Sequence, residues 1–465
     1  MERHFLKISG FSCVLIILIL TALFISTGDL KAQVKLTEKD WVLPTYPVAD
    51  PDPNPIFFKN EAYQGASRHY YPLALNDQYT GERIEQAWQT LVLENEYIEL
   101  AITPELGGKL YYATDKTNNY HFVYKNNVVK PSNIGMTGAW VSGGIEWCVL
   151  HHHRASTYLP VDYTTTENAD GSKTIWVGEY EPRHGMRWTI GVTVFPGKSY
   201  FRTEGRIYNA SPLTHTFLFW ANVAAHTNEQ YQTIFPPSAQ VVTFHSKTDF
   251  ARWPVSHEVF RGADFTSGVD ISWWKNVTAS NSFFVHELQE DFMGGYDHGK
   301  KAGTVHIGDH NIVRGAKLWE WGSGPRGQAT EGRLTENDGP YVEIMVGAYS
   351  DNQPDYSWIR PYEVKTWEQY WYPIRGIGGF KYANLNGAVN LEKKGEQSVF
   401  LGYYSTSLVP DARIVLKKGD VVVFEERMSI SPEKEFAREI KLAGTFDLTE
   451  LHTQLLDAEI GRAHV

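Results

Sequence analysis

Between Gly143 and Ser156 the chain reads GGIEWCVLHHHRAS, which sets a carboxylate (Glu146), a thiol (Cys148) and three consecutive imidazoles (His151, His152, His153) within fourteen residues. Three readings compete for such a run: a metal site, one wall of an acid/base site, or polar surface. If the run continues as an extended strand, alternate side chains face opposite ways, so His151 and His153 share one face and His152 takes the other. At most two of them then reach one site. A catalytic zinc wants three protein ligands and a fixed outer shell, and neither HExxH nor another spaced ligand motif is present. The expectation is no metal and no other cofactor. Imidazoles that donate or accept near neutrality suit a polar ligand site better.

Two more groups carry the same chemistry. In YVEIMVG, alternation places Glu343 with Tyr341 and Met345, opposite Val342, Ile344 and Val346. On a cleft face such a carboxylate can be tuned for base work; on an edge strand it would simply face solvent. His226 closes the apolar FLFWANVAAH just before the polar TNEQ, a strand-to-loop exit of the kind where active groups sit. Trp140, Trp147, Trp273, Trp274, Trp319 and Trp321 lie close to glycines, carboxylates or histidines. Aromatic faces stack on the C–H faces of sugars while carboxylates and imidazoles bind hydroxyls, so the mixture suits a carbohydrate cleft. Two or three of these rings are expected at the ligand, the others in the core.

The elements that must position these groups are strands. From Trp88 onward LVLENEYIELAITP, KLYYAT, YHFVYKN, TIWVGEYE, WTIGVTVFP, SYFRTEGRIYN, NSFFVHEL, AGTVHIG, AKLWEWG and YVEIMVGAY are short apolar or alternating runs separated by Gly, Asn, Asp and Pro. Capped helical periodicity is missing from residues 88 to 375. The pattern predicts an all-β fold: one large antiparallel super-sandwich over residues 61–375, then a smaller β domain over 376–465 that begins in the glycine-rich RGIGGFKYANLNG. Residues 33–60, with five prolines after Trp41, read as an extended lead-in.

Composition limits the partners. The 465 residues are 42% hydrophobic, 14% aromatic and 21% charged, enough for a large core, and the formal net charge of -11 disfavours nucleic acid. Arg3 and Lys7 precede an apolar run from Cys13 to Ile25 and a polar segment ending at Ala32, so residues 1–32 read as a signal peptide and the protein as exported, periplasmic or on the cell surface. Membrane contact would come only through that leader left uncleaved. After cleavage Cys148 stands alone, and no intrachain disulfide can form. The chain ends in IGRAHV without a finishing element, and we read it as a truncated gene with adapter-derived final residues. Resequencing the locus checks this, and a native stop codon after Val465 would refute it.

LENEYIELAITPELGGKLYYATDKTNNYHFVYKN, together with GGIEWCVLHHHRAS, GMRWTI, FWANVAAH, KLWEWG and GPYVEIMVGAY, resembles galactose mutarotase-like super-sandwich proteins. More closely it resembles the uncharacterised bacterial family called domain of unknown function 5107, whose domain often precedes tetratricopeptide repeats. The resemblance spans residues 45 to 375 and implies a carbohydrate ligand, with repeats in the part beyond the C-terminus. In mutarotases a late-strand glutamate takes the anomeric proton and a central histidine protonates the ring oxygen; the matching places here are Glu343 and His226. Asp297, in GGYDHG, is the nearest counterpart of the sugar-binding aspartate. The catalytic expectation is thus Glu343, His226 and Glu146, with His151, His152, His153, Asp297, Trp140 and Trp319 binding substrate. Three functions fit: a mutarotase-like epimerase, a glycoside hydrolase or lyase with Glu146 and Glu343 as its carboxylate pair, and a non-catalytic carbohydrate-binding module.

Overall fold

The computed structural model describes residues 33–54, 56–57 and 70–456. The leader, part of the lead-in and the terminal IGRAHV lie outside the described residues. No helix among the described residues is long and apolar enough to cross a membrane.

Strand-forming runs with turn residues between them assemble, as expected, into an all-β super-sandwich with a smaller β domain after it. A twelve-stranded antiparallel sheet runs through Lys35–Thr45, Ile84–Glu94, Ile98–Thr103, Lys109–Asp115, Ile145–Val149, Phe219–His226, Tyr341–Ala348, Gly315–Glu320 and Asn281–Val285. An eight-stranded sheet packs against it, with Lys173–Glu181, Met186–Val194, Phe201–Asn209 and Val364–Arg375 at its centre. The apolar face of each sheet meets the other: Ile145, Trp147, Val149, Ala221, Val223, Ile344 and Val346 from the first join Ile175, Val192, Val194 and Phe201 from the second in one buried cluster. Each such aliphatic side chain contributes about 1.5–3 kcal/mol on burial. Because side chains alternate, Glu146, Cys148, Asn222 and Glu343 necessarily project from the other face of the large sheet.

Turn chemistry fixes where those strands begin. Asn95 accepts from the backbone N–H of Tyr97 at 2.8 Å and of Ile98 at 2.9 Å, closing the turn into Ile98–Thr103. Gly144 has φ +63°, and a Cβ there would stand 2.2 Å from the Leu110 carbonyl. Only glycine lets the strand of Glu146 dock beside Lys109–Asp115.

Two expectations change. The lead-in does not precede the domain: Lys35–Thr45 pairs in full register with Ile84–Glu94 and forms the edge of the large sheet. Its Pro44 is tolerated because an edge strand need not donate on both sides. The stretch 88–375 also contains a helix, Pro325–Leu334, which starts with Pro at its first turn and buries Gly327, Glu331 and Leu334. PRGQATEGRL carries too little apolar periodicity to announce it.

The smaller domain pairs a four-stranded sheet, led by Tyr382–Asn384, with a three-stranded one around Val409–Lys418, over a core that includes Val399, Leu401, Ile414, Leu416 and Leu455. It is tied to the sandwich by Tyr372, which stacks on Tyr404 at 6.2 Å and donates to the carbonyls of Asn384 at 2.8 Å and Gly387 at 2.9 Å.

Candidate functional site

On the outer face of the large sheet, register decides which chemical groups meet. Glu146 lies opposite Asn222, Asn222 opposite Met345, and Met345 opposite Lys317. One step along, Ala224 lies opposite Glu343 and Glu343 opposite Trp319. These strands floor a cavity of about 310 Å³ whose lining includes Glu343, Lys317, Trp319, Trp321, Trp140, His152, His153, His245, Gln353 and Tyr356. That is the lower end of the range of small-molecule pockets, a size suited to one sugar ring with a substituent.

The two carboxylates differ in kind. Glu146 is 3% exposed and its oxygens are taken: Oε1 by the Thr157 hydroxyl at 2.8 Å, Oε2 by Trp140 Nε1 at 2.8 Å, His153 Nδ1 at 2.9 Å and Asn222 Nδ2 at 3.5 Å. Burial alone would raise its pKa, but the charge and hydrogen bond of His153, with Lys109 and Trp140, hold it well below the usual carboxylate range. Glu146 does not line the cavity. It is a fixed anion that orients His153 and Trp140. Glu343 does line the cavity, and burial pushes its pKa up against the pull of His153 and Lys317. A carboxyl so placed can hold or release a proton near neutrality.

The imidazoles are sorted by their partners. His153 gives Nδ1 to Glu146, which leaves Nε2 free. His152 is reached from the other side: Lys317 Nζ donates to Gln353 Oε1 at 2.8 Å, and Gln353 Nε2 donates to His152 Nδ1 at 3.0 Å. An ammonium can only donate, so the amide orientation is fixed and His152 carries its proton on Nε2. Burial keeps the His152 ring neutral by lowering its pKa. His245 is fully engaged, with Nδ1 on the Gln353 carbonyl at 3.2 Å and Nε2 on Ser282 Oγ at 3.1 Å.

Cys148, His152 and His153 bring ligand-type atoms within 4.8 Å of one another. Their protons argue against chelation: burial drives the Cys148 thiol pKa up, and the Gln353 bond commits His152 Nδ1. The thiol is wholly buried beneath the cavity among Leu218, Trp220, Phe284 and Met345.

Of the residues expected at the site, Glu343, His152, His153, Trp140 and Trp319 converge on the cavity. Four do not line it. Glu146 stands behind it. His226 shares the sheet face, but its ring lies 4.0 Å from that of Tyr124, which with Tyr341 separates it from the cavity, and its Nε2 is buried without a partner. His151 turns away toward His184, 4.8 Å between ring centres. The strand ends at Val149, and positive φ at Leu150 (+67°) and His153 (+48°) break the alternation that paired His151 with His153. Asp297 belongs to the other sheet, where it accepts from the backbone N–H of Gly299 and Lys300, both at 2.9 Å, and from Asn228 Nδ2 at 2.6 Å; it ties a turn.

Sequence reasoning missed Lys317, His245, Gln353 and Tyr356, and named Trp321 among the six tryptophans without choosing it for the site. Lys317 was legible: in AKLWEWG it alternates with Trp319 and Trp321. Gln353 and Tyr356 sit in the loop after the Glu343 strand, where no periodicity points.

Comparison with known proteins agrees with this architecture. A profile described as YphG-like protein, second domain, matches residues 382–463. A TPR-domain-containing protein of Parabacteroides distasonis superposes with a TM-score of 0.63 at 23% identity, over 74% of this chain and 56% of that one. This chain therefore spans little more than half of that protein, and the likeness is one of fold. Galactose mutarotase-like proteins of Clostridium acetobutylicum (TM-score 0.43, 9% identity, 62% of this chain and 96% of that one) and Lactobacillus casei (0.41, 9%, 61% and 100%) are more distant. The profile named domain of unknown function (DUF5107) matches residues 66–374, more than half of the sequence, and the chain belongs to that family.

Proposed function

We propose that the protein binds a pyranose in this cavity and moves protons on it by acid/base chemistry, as an epimerase-like sugar-processing domain. The observation that carries the reading is the convergence of Glu343 with His152, His153, Trp140 and Trp319 on one sugar-sized hollow. The tryptophans offer faces for a ring, Trp319 and Trp321 meeting edge-on at 4.5 Å. Glu343 supplies a carboxyl that burial poises between its two protonation states, His152 an N–H donor, and His153 a ring nitrogen backed by Glu146. Two groups able to exchange protons on either side of a ring are what anomer interconversion needs. Hydrolysis through a Glu146–Glu343 pair is disfavoured, since every Glu146 oxygen is already bonded.

The test incubates the purified protein with free aldoses, following anomer exchange by NMR, and with glycans, following release of reducing ends. Exchange that Glu343→Gln abolishes is the expected result. Binding without turnover would make this a carbohydrate-binding module, and absence of any sugar binding would sink the proposal. Export is proposed from the leader-like residues 1–32 alone.

A further inference from the structure

Two buried lysines flank the cavity, and the fold treats them differently. Lys109 is saturated: its ammonium donates to the carbonyls of Val141 and Gly143, the latter at 2.6 Å, and sits 5.6 Å from the centre of the Trp140 ring. Lys317 lines the cavity at 1% exposure; its ammonium sits 4.7 Å from the centre of the Phe284 ring and makes a single hydrogen bond, to Gln353 Oε1. An ammonium has three N–H donors, so two remain. Among the described residues no carboxylate comes within 4.0 Å of it. Glu146 is spent on its own donors, and Glu343 lies on the diagonal of the strand pair, since Lys317 faces Met345 while Trp319 faces Glu343. Diagonal positions are about 7–8 Å apart, within reach of long side chains; here the two attract each other without forming a hydrogen bond. A buried charge left without a bonded counter-ion is costly, and the folded chain does not supply one.

The rest of the lining adds donors rather than anions. Glu343 is its one carboxylate and Lys317 its one ammonium, while burial holds the His152 and His245 rings neutral and His152 offers its Nε2–H. Gln353 has no second oxygen to offer Lys317: its side-chain amide is already divided between Lys317 at Oε1 and His152 at Nε2, and its backbone carbonyl is taken by His245 and by the Ser246 N–H at 2.9 Å. What Lys317 lacks is an oxyanion arriving from the cavity.

We infer that the ligand is an anionic pyranose, a sugar ring whose carboxylate or ester sulfate meets Lys317 while its ring lies against the tryptophans. The inference rests on the sugar-cleft reading above and narrows it to a substrate class. Burial already lowers the pKa of Lys317; an oxyanion beside it restores the charged form.

The experiment titrates the wild type with methyl β-glucoside, methyl β-glucuronide and glucose 6-sulfate, reading tryptophan fluorescence and calorimetry. The expected result is an anionic sugar bound about tenfold or more tighter than the neutral one, the carboxylate and sulfate arms telling which oxyanion fits. In Lys317→Met, whose fold is checked by circular dichroism, that ratio collapses to within about threefold of unity. Lys317→Gln, which keeps a polar group beside Gln353 but no charge, is measured in the same way and holds the test open should the Met variant not fold. Equal or tighter binding of the neutral glucoside, or a preference surviving in Lys317→Met, overturns the inference while leaving a sugar site. Failure to bind any sugar removes both readings.

Discussion

Lys317 and Glu320 sit three residues apart on one strand and meet opposite fates. Lys317, with Trp319, projects into the cavity; Glu320 projects with Ala316 and Leu318 toward the packed interior, 0% exposed, with both oxygens unpartnered. Burial raises the pKa of Glu320 as it does that of Glu343, and Glu331 on the neighbouring helix adds a like charge. Two buried carboxyls on adjoining strands are thus perturbed in the same direction. What separates them is open space and convergent partners: Glu343 looks onto imidazoles, an amide and a hollow, Glu320 onto packed side chains. A shifted carboxyl marks a site only where there is room for a substrate.

The sharpest way to break this comparison is Glu343→Gln. It should cut sugar turnover by on the order of 10²–10⁴-fold, the usual worth of a general acid or base, while the urea midpoint holds or rises. An equal loss from Glu320→Gln would mean the cavity is not what distinguishes the two.

Glu146→Ala should cost on the order of 3 kcal/mol in urea unfolding, because His153, Trp140 and Thr157 lose the anion that all three bond. A variant as stable as wild type would show that the wall behind the cavity is not held by this carboxylate.

The interior side predicts a pH effect. Burial raises Glu331 from the ordinary 4.5 to about 8, so the folded chain keeps a proton that the unfolded chain releases. This contribution is fully present below about pH 4.5 and is lost as pH climbs through about 8. Glu331→Gln should therefore raise the melting temperature near pH 9 and leave it unchanged near pH 4, which differential scanning calorimetry reads directly. A variant that melts below wild type at both pH values would contradict the assignment.

The smallest effect is expected at Asp297. Losing its turn-closing hydrogen bonds in Asp297→Ala should cost about 1–2 kcal/mol without changing sugar affinity. A loss of affinity would return it to the site.

How far the sequence could be read follows from which signals are local. The two-residue alternation that makes strands is written along the chain, so the all-β architecture and the outward face of Glu343 were legible, as were His152, His153, Trp140 and Trp319 as candidates. The same rule misled at His151, because it assumes a strand where the chain turns. Lys317 carried the same alternation as Trp319 but was not weighed as a candidate. His226, placed by its strand end and by resemblance, packs against Tyr124 instead of lining the cavity, a contact between distant strands that no local pattern announces.

Amino-acid order alone determined the strands, their faces and the types of group available for proton transfer, because period and side-chain chemistry are properties of neighbours in sequence. Tertiary structure alone decided that Glu146 would be spent on four donors and Glu343 left to the cavity, and that Lys317 would hold its amide but lack an ion partner. Charge state and availability depend on what lies within a few ångströms, and that is set by register between strands far apart in the chain.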